Sequence, residues 1–461
     1  MRAVVALVLL AIVTVPAQQR EPAVPATPAG KLLDTWLTAF NTGMPTTILA
    51  FDAANRAQPM SINQTMVLRA TTGGFTLIRV DRSEPHSISA LVQDNFSERL
   101  ERIDMLLDAA TSKIVKQEVQ PAARPADLAI PRLTESGAVA ALVERASAAA
   151  AAEEFSGILL VARGDRVLLE RGWGYANRET QTPVTLDTKF AIASTAKMIE
   201  AVAALQLVEA GRLQLDDAVG KHIPEYENRE IASKVTVRHL LMHTGGTGGL
   251  PPLEERKTLR TPGDYARVLS SRAPLYEPGT EYQYSNYGFI LLASLVERAG
   301  GLSFTEYAQR RIFEPAGMRS TIIGVPSRLE MGRAVGYSRQ KGQWVRASSD
   351  DLSGTNEPFP VFSTARDLLL FARSLDAGTL ISRAMLREAT SPPAGSRYGY
   401  GLLVMDHGAI ESYGHGGSGT GMNADVRIVP RLGYVVIGLS NFEPPAASRL
   451  VDFFLNRIPA E

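Results

Sequence analysis

Apolar residues mark out the elements of this chain before any motif does. In "LLDTWLTAFNTG", Leu33, Trp36, Leu37 and Phe40 recur at intervals of three and four, the spacing of one helix face. Four later runs, "FTLIRVD", "SISALVQD", "ERIDMLLDA" and "KIVKQEVQ", are short and strand-like, and predict an antiparallel meander beside that helix. These elements make a first unit over residues 31–120. A Pro/Ala-rich linker, 121–134, follows. Residues 135–461 read as one larger domain. It opens on the helical "GAVAALVERASAAAAAEE" and a hairpin, "SGILLVA" and "VLLERGWGYAN", turning at Arg163-Gly164-Asp165-Arg166. It closes on "YGYGLLVMD", "ADVRIVP" and "GYVVIGLSN", then the helical "PAASRLVDFFLNRI". Strands at both ends with helical patterns between them predict a single sheet built from both ends and carrying a helical insert, an α/β (α+β) fold.

Composition changes this picture little. The chain is 45% hydrophobic and 21% charged, ordinary for a globular protein, and 48 basic residues balance 48 acidic ones. That balance leaves no electrostatic footprint for nucleic acid or an anionic membrane. With no cysteine there is no disulfide, lipid-anchored thiol or thiol nucleophile, and any metal site would need His and carboxylates. The start of the chain has Arg2, an apolar run over residues 3–15 and then Val15-Pro16-Ala17. That is the pattern of a secretory signal, 1–17, cleaved before Gln18, too short for a membrane span. A Pro/Ala spacer, 18–30, follows. The expected location is the bacterial periplasm or outside the cell.

The candidate chemistry starts at "AIASTAKMIEAVAALQ". Lys197 lies one turn after Ser194, on one face of an apolar helix that Gly211 stops. A buried ammonium is costly unless paired or neutralised, and a desolvated lysine can help to activate a serine. The same spacing at Ser338 and Lys341 has no apolar helix around it and reads as chance. A second element is Tyr284-Ser285-Asn286, ahead of an apolar helix over residues 289–296. A phenol beside an ammonium can act as a base, and Asn286 can hydrogen-bond both the lysine and a substrate oxygen. Its counterpart Tyr226-Glu227-Asn228 lies in the charged "EYENRE" and reads as solvated surface. The third element is His415-Gly416-Gly417, leading into a strand. An edge N–H there, that of Ser418, could face the N–H of Ser194 as an oxyanion hole. His243-Thr244-Gly245 follows a helix and reads as a loop. His239 and His243 lack the glutamate of a zinc-protease motif, Asp406-His407-Gly408 reads as a hairpin turn, and His86 as a surface residue.

Ser-x-x-Lys, Tyr-x-Asn about 90 residues on, and His-x-Gly before a late strand together resemble the serine β-lactamase and penicillin-binding-protein superfamily. Tyr-Ser-Asn points to its class C β-lactamase-like branch, and "TVRHLLMHTGG" and "YEPGTEYQYSNYGF" resemble two further signatures of it. The resemblance covers roughly residues 140–455. It implies a β-lactamase/transpeptidase-like fold, an antiparallel sheet flanked by helices with a helical subdomain. It also implies Ser194 as the acylated nucleophile, Lys197 and Tyr284 as the base pair, and Asn286, His415, Gly416, Gly417 and Ser418 as substrate-binding residues, with no cofactor and no metal. Residues 31–120 resemble the nuclear-transport-factor-like cone domains, which bind small ligands or pair two copies.

One departure matters. Many members of the superfamily have Lys-Thr-Gly where this chain has His-Gly-Gly, and a histidine is mostly neutral at pH 7. The fixed cation for a substrate carboxylate is gone. Small esters, amides or D-amino-acid peptides are therefore the expected substrates, ahead of β-lactams. A D-alanyl-D-alanine carboxypeptidase or β-lactamase is the alternative within the superfamily. A silent binder of peptidoglycan-like peptides is the alternative outside enzymes.

Overall fold

The computed structural model describes residues 23–58, 60, 62–324, 332–340, 343–347, 360–407 and 410–461. The chain divides into two compact units, at Ala126 and Asp127.

In the first unit three helices, Pro28–Thr42, Pro45–Asn55 and Ile62–Thr72, precede a four-stranded antiparallel meander. Its strands are Phe75–Glu84, Ser87–Asp94, Leu100–Leu107 and Ile114–Ala122, each paired with the next in sequence. Leu33, Trp36, Leu37 and Phe40 are all buried, and the rings of Trp36, Phe40 and Phe75 stack at 4.8 and 5.2 Å. The first helix begins inside the stretch read as spacer. The Thr27 side chain accepts the Gly30 N–H, and Pro28 takes the first helical position, where its missing N–H costs nothing. Two helices, Pro45–Asn55 and Ile62–Thr72, carry no amphipathic pattern strong enough to announce them in the sequence.

The second unit holds a six-stranded antiparallel sheet. Its order is Leu403–Asp406, Glu411–Gly419, Met422–Val429, Tyr434–Ser440, Gly157–Arg163 and Arg166–Trp173. The last strand of the chain thus pairs with the first strand of the unit, Ile437 opposite Leu160. Only Leu403–Asp406 of the "YGYGLLVMD" run is strand, because Gly399 and Gly401 turn the chain ahead of it. One face of the sheet packs on Glu135–Ala151 and Ser448–Leu455, the other on the helical insert. The second half of the stretch read as linker is anchored to this unit. Arg132 donates to the carbonyls of Leu455, Ile458 and His407, and the Leu133 N–H bonds the Arg457 carbonyl.

Two buried helices of the insert carry the site. Lys197–Glu209 is buried along nearly all its length, and Asn286–Gly300 buries Tyr287, Phe289, Leu291 and Leu292 among others. Each fully buried large side chain contributes about 1.5–3 kcal/mol, so these helices are held rigidly. No single described helix is long and apolar enough to cross a membrane.

Candidate active site

From Phe190 to Leu205 every residue is buried except Ser194, which is half-buried. The sequence pattern places it on the helix with Lys197. The structure instead puts Ser194 in a 3-10 turn, Ala193–Ala196, and starts the α-helix at Lys197. In a 3-10 turn residues three apart eclipse one another, so Lys197 stands directly over the serine, with Nζ 3.4 Å from Ser194 Oγ. Ala193 just before has φ 45°, left-handed for a non-glycine residue, which costs roughly 1–2 kcal/mol. The turn is held from both sides. The Ile192 N–H bonds the Val361 carbonyl at 3.1 Å, and the Thr195 N–H closes on the Ile192 carbonyl at 3.1 Å.

Lys197 is fully buried. Its ammonium lies 5.3 Å from the Tyr284 ring centroid and 5.6 Å from that of Phe289, so two aromatic faces take the place of water. Tyr284 itself is 40% exposed, open to an incoming molecule on its other side. Ser285 caps the helix that follows: its Oγ accepts the Gly288 N–H at 2.9 Å and donates to the Gly248 carbonyl at 2.6 Å. Asn286 is the first residue of that helix. Its Oδ1 is buried and finds no donor among the described residues.

The strand Glu411–Gly419 closes the site. Its pairing with Leu403–Asp406 stops at Gly414, so the edge over residues 415–419 is open to the nucleophile turn. A Cβ on Gly417 would fall 2.0 Å from the Ile192 carbonyl oxygen, so only glycine allows this approach. Thr195 Oγ1 donates to the His415 carbonyl across the same gap, at 3.3 Å. The His415 ring is fully occupied. Nδ1 lies 2.6 Å from the Gly416 carbonyl, which can only accept, so Nδ1 carries the proton and Nε2 accepts from the Tyr398 hydroxyl at 2.8 Å. Burial and the nearby Lys197 ammonium push His415 down to about 3, so it is neutral at physiological pH. Ser194, Lys197, Tyr284, Asn286, His415, Gly416 and Gly417 come together in this one place, with Ser418 exposed at the strand's end.

Comparison with known proteins shows the family and the fold. The family model described as Beta-lactamase matches residues 137–460. The chain belongs to the β-lactamase family. Penicillin-binding protein 4 of Amycolatopsis lactamdurans is 29% identical over 322 residues, covering 65% of this chain and 84% of that protein. A D-aminopeptidase of Brucella anthropi is 27% identical over 278 residues, 57% of this chain and 51% of its own. The crystal structure of a D-stereospecific amidohydrolase from Streptomyces sp. superposes with a TM-score of 0.57 at 26% identity, over 68% of this chain and 96% of that one. The matches to two Bacillus subtilis proteins among the curated relatives span 66% and 64% of their length, less than two thirds.

Within this β-lactamase-family unit, two residues belong to the site that sequence patterns did not assign to it. His243, read as part of a loop, is buried with its ring 4.2 Å from that of Tyr284. Tyr398 supplies the hydroxyl that occupies His415. The signature "TVRHLLMHTGG" contained the first; the second had no signal beyond an aromatic residue among glycines. Tyr226, read as surface, is fully buried and bonds the Tyr287 hydroxyl at 3.0 Å, while Asn228 caps a helix. His407 is buried against Ser412, and His86 is half-buried rather than fully exposed. Lys341, Gly408 and the signal-like residues 1–17 lie outside the described residues.

Two outcomes follow from the geometry. Gly417→Ala forces the strand and the nucleophile turn apart and should cost about 1–3 kcal/mol. Gly416→Ala, whose Cβ would meet nothing closer than 3.8 Å, should change stability by no more than about 0.5 kcal/mol. Urea unfolding of the two variants measures both. The second outcome concerns pH. His415 takes up a proton near 6.5 when unfolded and only near 3 when folded, so the unfolded chain binds more protons between those values. Stability is therefore lost as pH falls through that window, by about 2 kcal/mol from His415 between pH 7 and 5. The His415→Asn variant should show a correspondingly shallower fall in unfolding free energy over the same two pH units.

Proposed function

We propose that this chain is a serine hydrolase that acts through an acyl-Ser194 intermediate on small esters, amides or D-amino-acid peptides. The observation that carries the reading is Lys197, a fully buried ammonium 3.4 Å from the hydroxyl of the one accessible residue in its stretch. Ser194 Oγ attacks the substrate carbonyl. Its proton passes to the Lys197–Tyr284 pair, which returns a proton to the leaving group as the carbonyl–leaving-group bond breaks. Water then repeats the sequence in the opposite sense and frees the acid. The N–H groups of Ser194 and Ser418 hold the developing oxyanion. Asn286, whose Oδ1 is buried with no donor among the described residues, orients Lys197 and the substrate. A cavity of about 760 Å³ beside the site, walled by Tyr282 and Tyr398, gives a bulky substrate group room, although Ser194 is not on its wall.

The choice of substrate rests on His415. Both ring nitrogens are already engaged and the ring is uncharged, so it gives a carboxylate neither a cation nor a free donor. The relatives named as a D-aminopeptidase and a D-stereospecific amidohydrolase support amide substrates of D configuration. The same proposal includes a periplasmic or extracellular location, supported by the secretory-signal pattern of residues 1–17.

Hydrolysis of a short p-nitrophenyl ester is the test. The native protein should turn over and Ser194→Ala should not, while losing base assistance in Lys197→Ala or Tyr284→Phe should cost roughly 10²- to 10⁴-fold in kcat. Full activity in Ser194→Ala would reject the mechanism. Anionic cephalosporins should be turned over poorly by the native protein and better by His415→Lys. Rapid cephalosporin hydrolysis by the native protein would contradict the substrate assignment.

A further inference from the structure

We infer that His243 is the positioning residue of the general base, holding Tyr284 in place against Lys197 from both sides in the chain. The inference rests on the serine-hydrolase reading above and adds to it a residue that neither the motifs nor the comparisons assign.

Three observations converge on it. First, His243 brackets Tyr284. Its carbonyl accepts the Gln283 N–H at 2.9 Å, and its ring Nδ1 accepts the Ser285 N–H at 3.0 Å. The residues on either side of Tyr284 in the chain, Gln283 and Ser285, are thus both tied through their N–H groups to one residue 41 positions before the tyrosine. Second, its ring lies against the rings it would position. Centroids are 4.2 Å from Tyr284, 4.8 Å from Phe289 and 4.6 Å from Tyr398, so it fills the space between the base, the lysine's aromatic wall and the His415 partner. Third, the residue is costly to keep there. It has φ 57°, left-handed for a non-glycine residue, and its Nε2 is buried without a hydrogen-bond partner among the described residues. An aliphatic side chain would fill the same space and remove the orphaned Nε2, but it would leave the buried Ser285 N–H without its acceptor. What only the imidazole supplies is the acceptor at Nδ1.

That acceptor exists only in the neutral ring with its proton on Nε2. Protonation would set Nδ1–H against Ser285 N–H, donor against donor. Burial, then the neighbouring Lys197 and His415, hold His243 well below its ordinary range, so the clamp stays closed beside Lys197.

Asparagine and leucine distinguish the acceptor from the packing. They are alike in size, and asparagine tolerates left-handed φ and can accept at the same place. The full-length native protein, His243→Asn and His243→Leu are compared by thermal unfolding, by kcat and KM on p-nitrophenyl butyrate, and by labelling of Ser194 with a fluorophosphonate. His243→Leu should lose roughly 10- to 100-fold in kcat, the scale of partial loss of base catalysis, with KM changed less than about twofold. His243→Asn should recover kcat to within about fivefold of native. Native kcat in folded His243→Leu would overturn the inference, as would a folded His243→Asn as slow as the leucine variant. Should His243→Leu not fold, His243→Asn alone decides: retained kcat supports the clamp, and its loss in a folded protein rejects it. A native protein that neither labels at Ser194 nor turns over would instead reject the serine-hydrolase reading, so the two failures are told apart.

Discussion

The site is organised around one desolvated charge, the ammonium of Lys197. Taking it out of water costs several kcal/mol, and that cost has to be met locally. The Ser194 hydroxyl and the faces of Tyr284 and Phe289 meet part of it. The same charge then limits what else can stand nearby. Two histidines lie within its influence and both are held neutral, each by burial first and by Lys197 second. Each neutral ring is put to use as an acceptor: His415 Nε2 from Tyr398, His243 Nδ1 from the Ser285 N–H. Burial, reinforced by the lysine, thus keeps its neighbours neutral, and their neutral state sets the hydrogen bonds that shape the site.

Backbone geometry serves the same centre. Ala193 and His243 both occupy the left-handed region, and each adjoins or brackets a candidate catalytic residue. Such strain persists only where surrounding contacts over-determine it. Here the contacts are the sheet edge on one side, through Gly417 and Thr195, and the rigid helix Asn286–Gly300 on the other. Sheet and helical insert meet along this line, so the site forms only when the two ends of the unit pair.

How far the sequence shows this depends on whether a signal is local. Ser194 and Lys197 stood out from Ser338 and Lys341 because an apolar helix follows them, and burial is what gives the spacing chemical meaning. The late strands and the hairpin were legible from alternation and turn residues, since one buried sheet face imposes a period of two. Tyr226 was misread because its charged neighbours Glu225 and Glu227 describe the surface of the turn, while the tyrosine between them points inward to Tyr287. His243 was missed for a different reason. Its role comes from a left-handed φ and from contacts with residues about 40 and 155 positions away in the numbering, neither of which leaves a periodic trace. The two unannounced helices of the first unit lack an amphipathic stripe, and only tertiary packing defines them.

The histidine at 415 follows from this economy of charge. A lysine there would bring a second ammonium toward Lys197 in a poorly solvated place, and like charges so placed repel strongly at low effective dielectric. A substrate anion beside such a pair would offset part of that repulsion. The neutral imidazole avoids the repulsion altogether. With Tyr398 donating to one nitrogen and the Gly416 carbonyl accepting from the other, position 415 is complete without a ligand. On the proposed reading, substrate binding falls to groups that remain unfilled: the exposed face of Tyr284 and the open strand edge beyond Gly417. These are an aromatic surface and main-chain amides, a set that, on that reading, suits an uncharged acyl group.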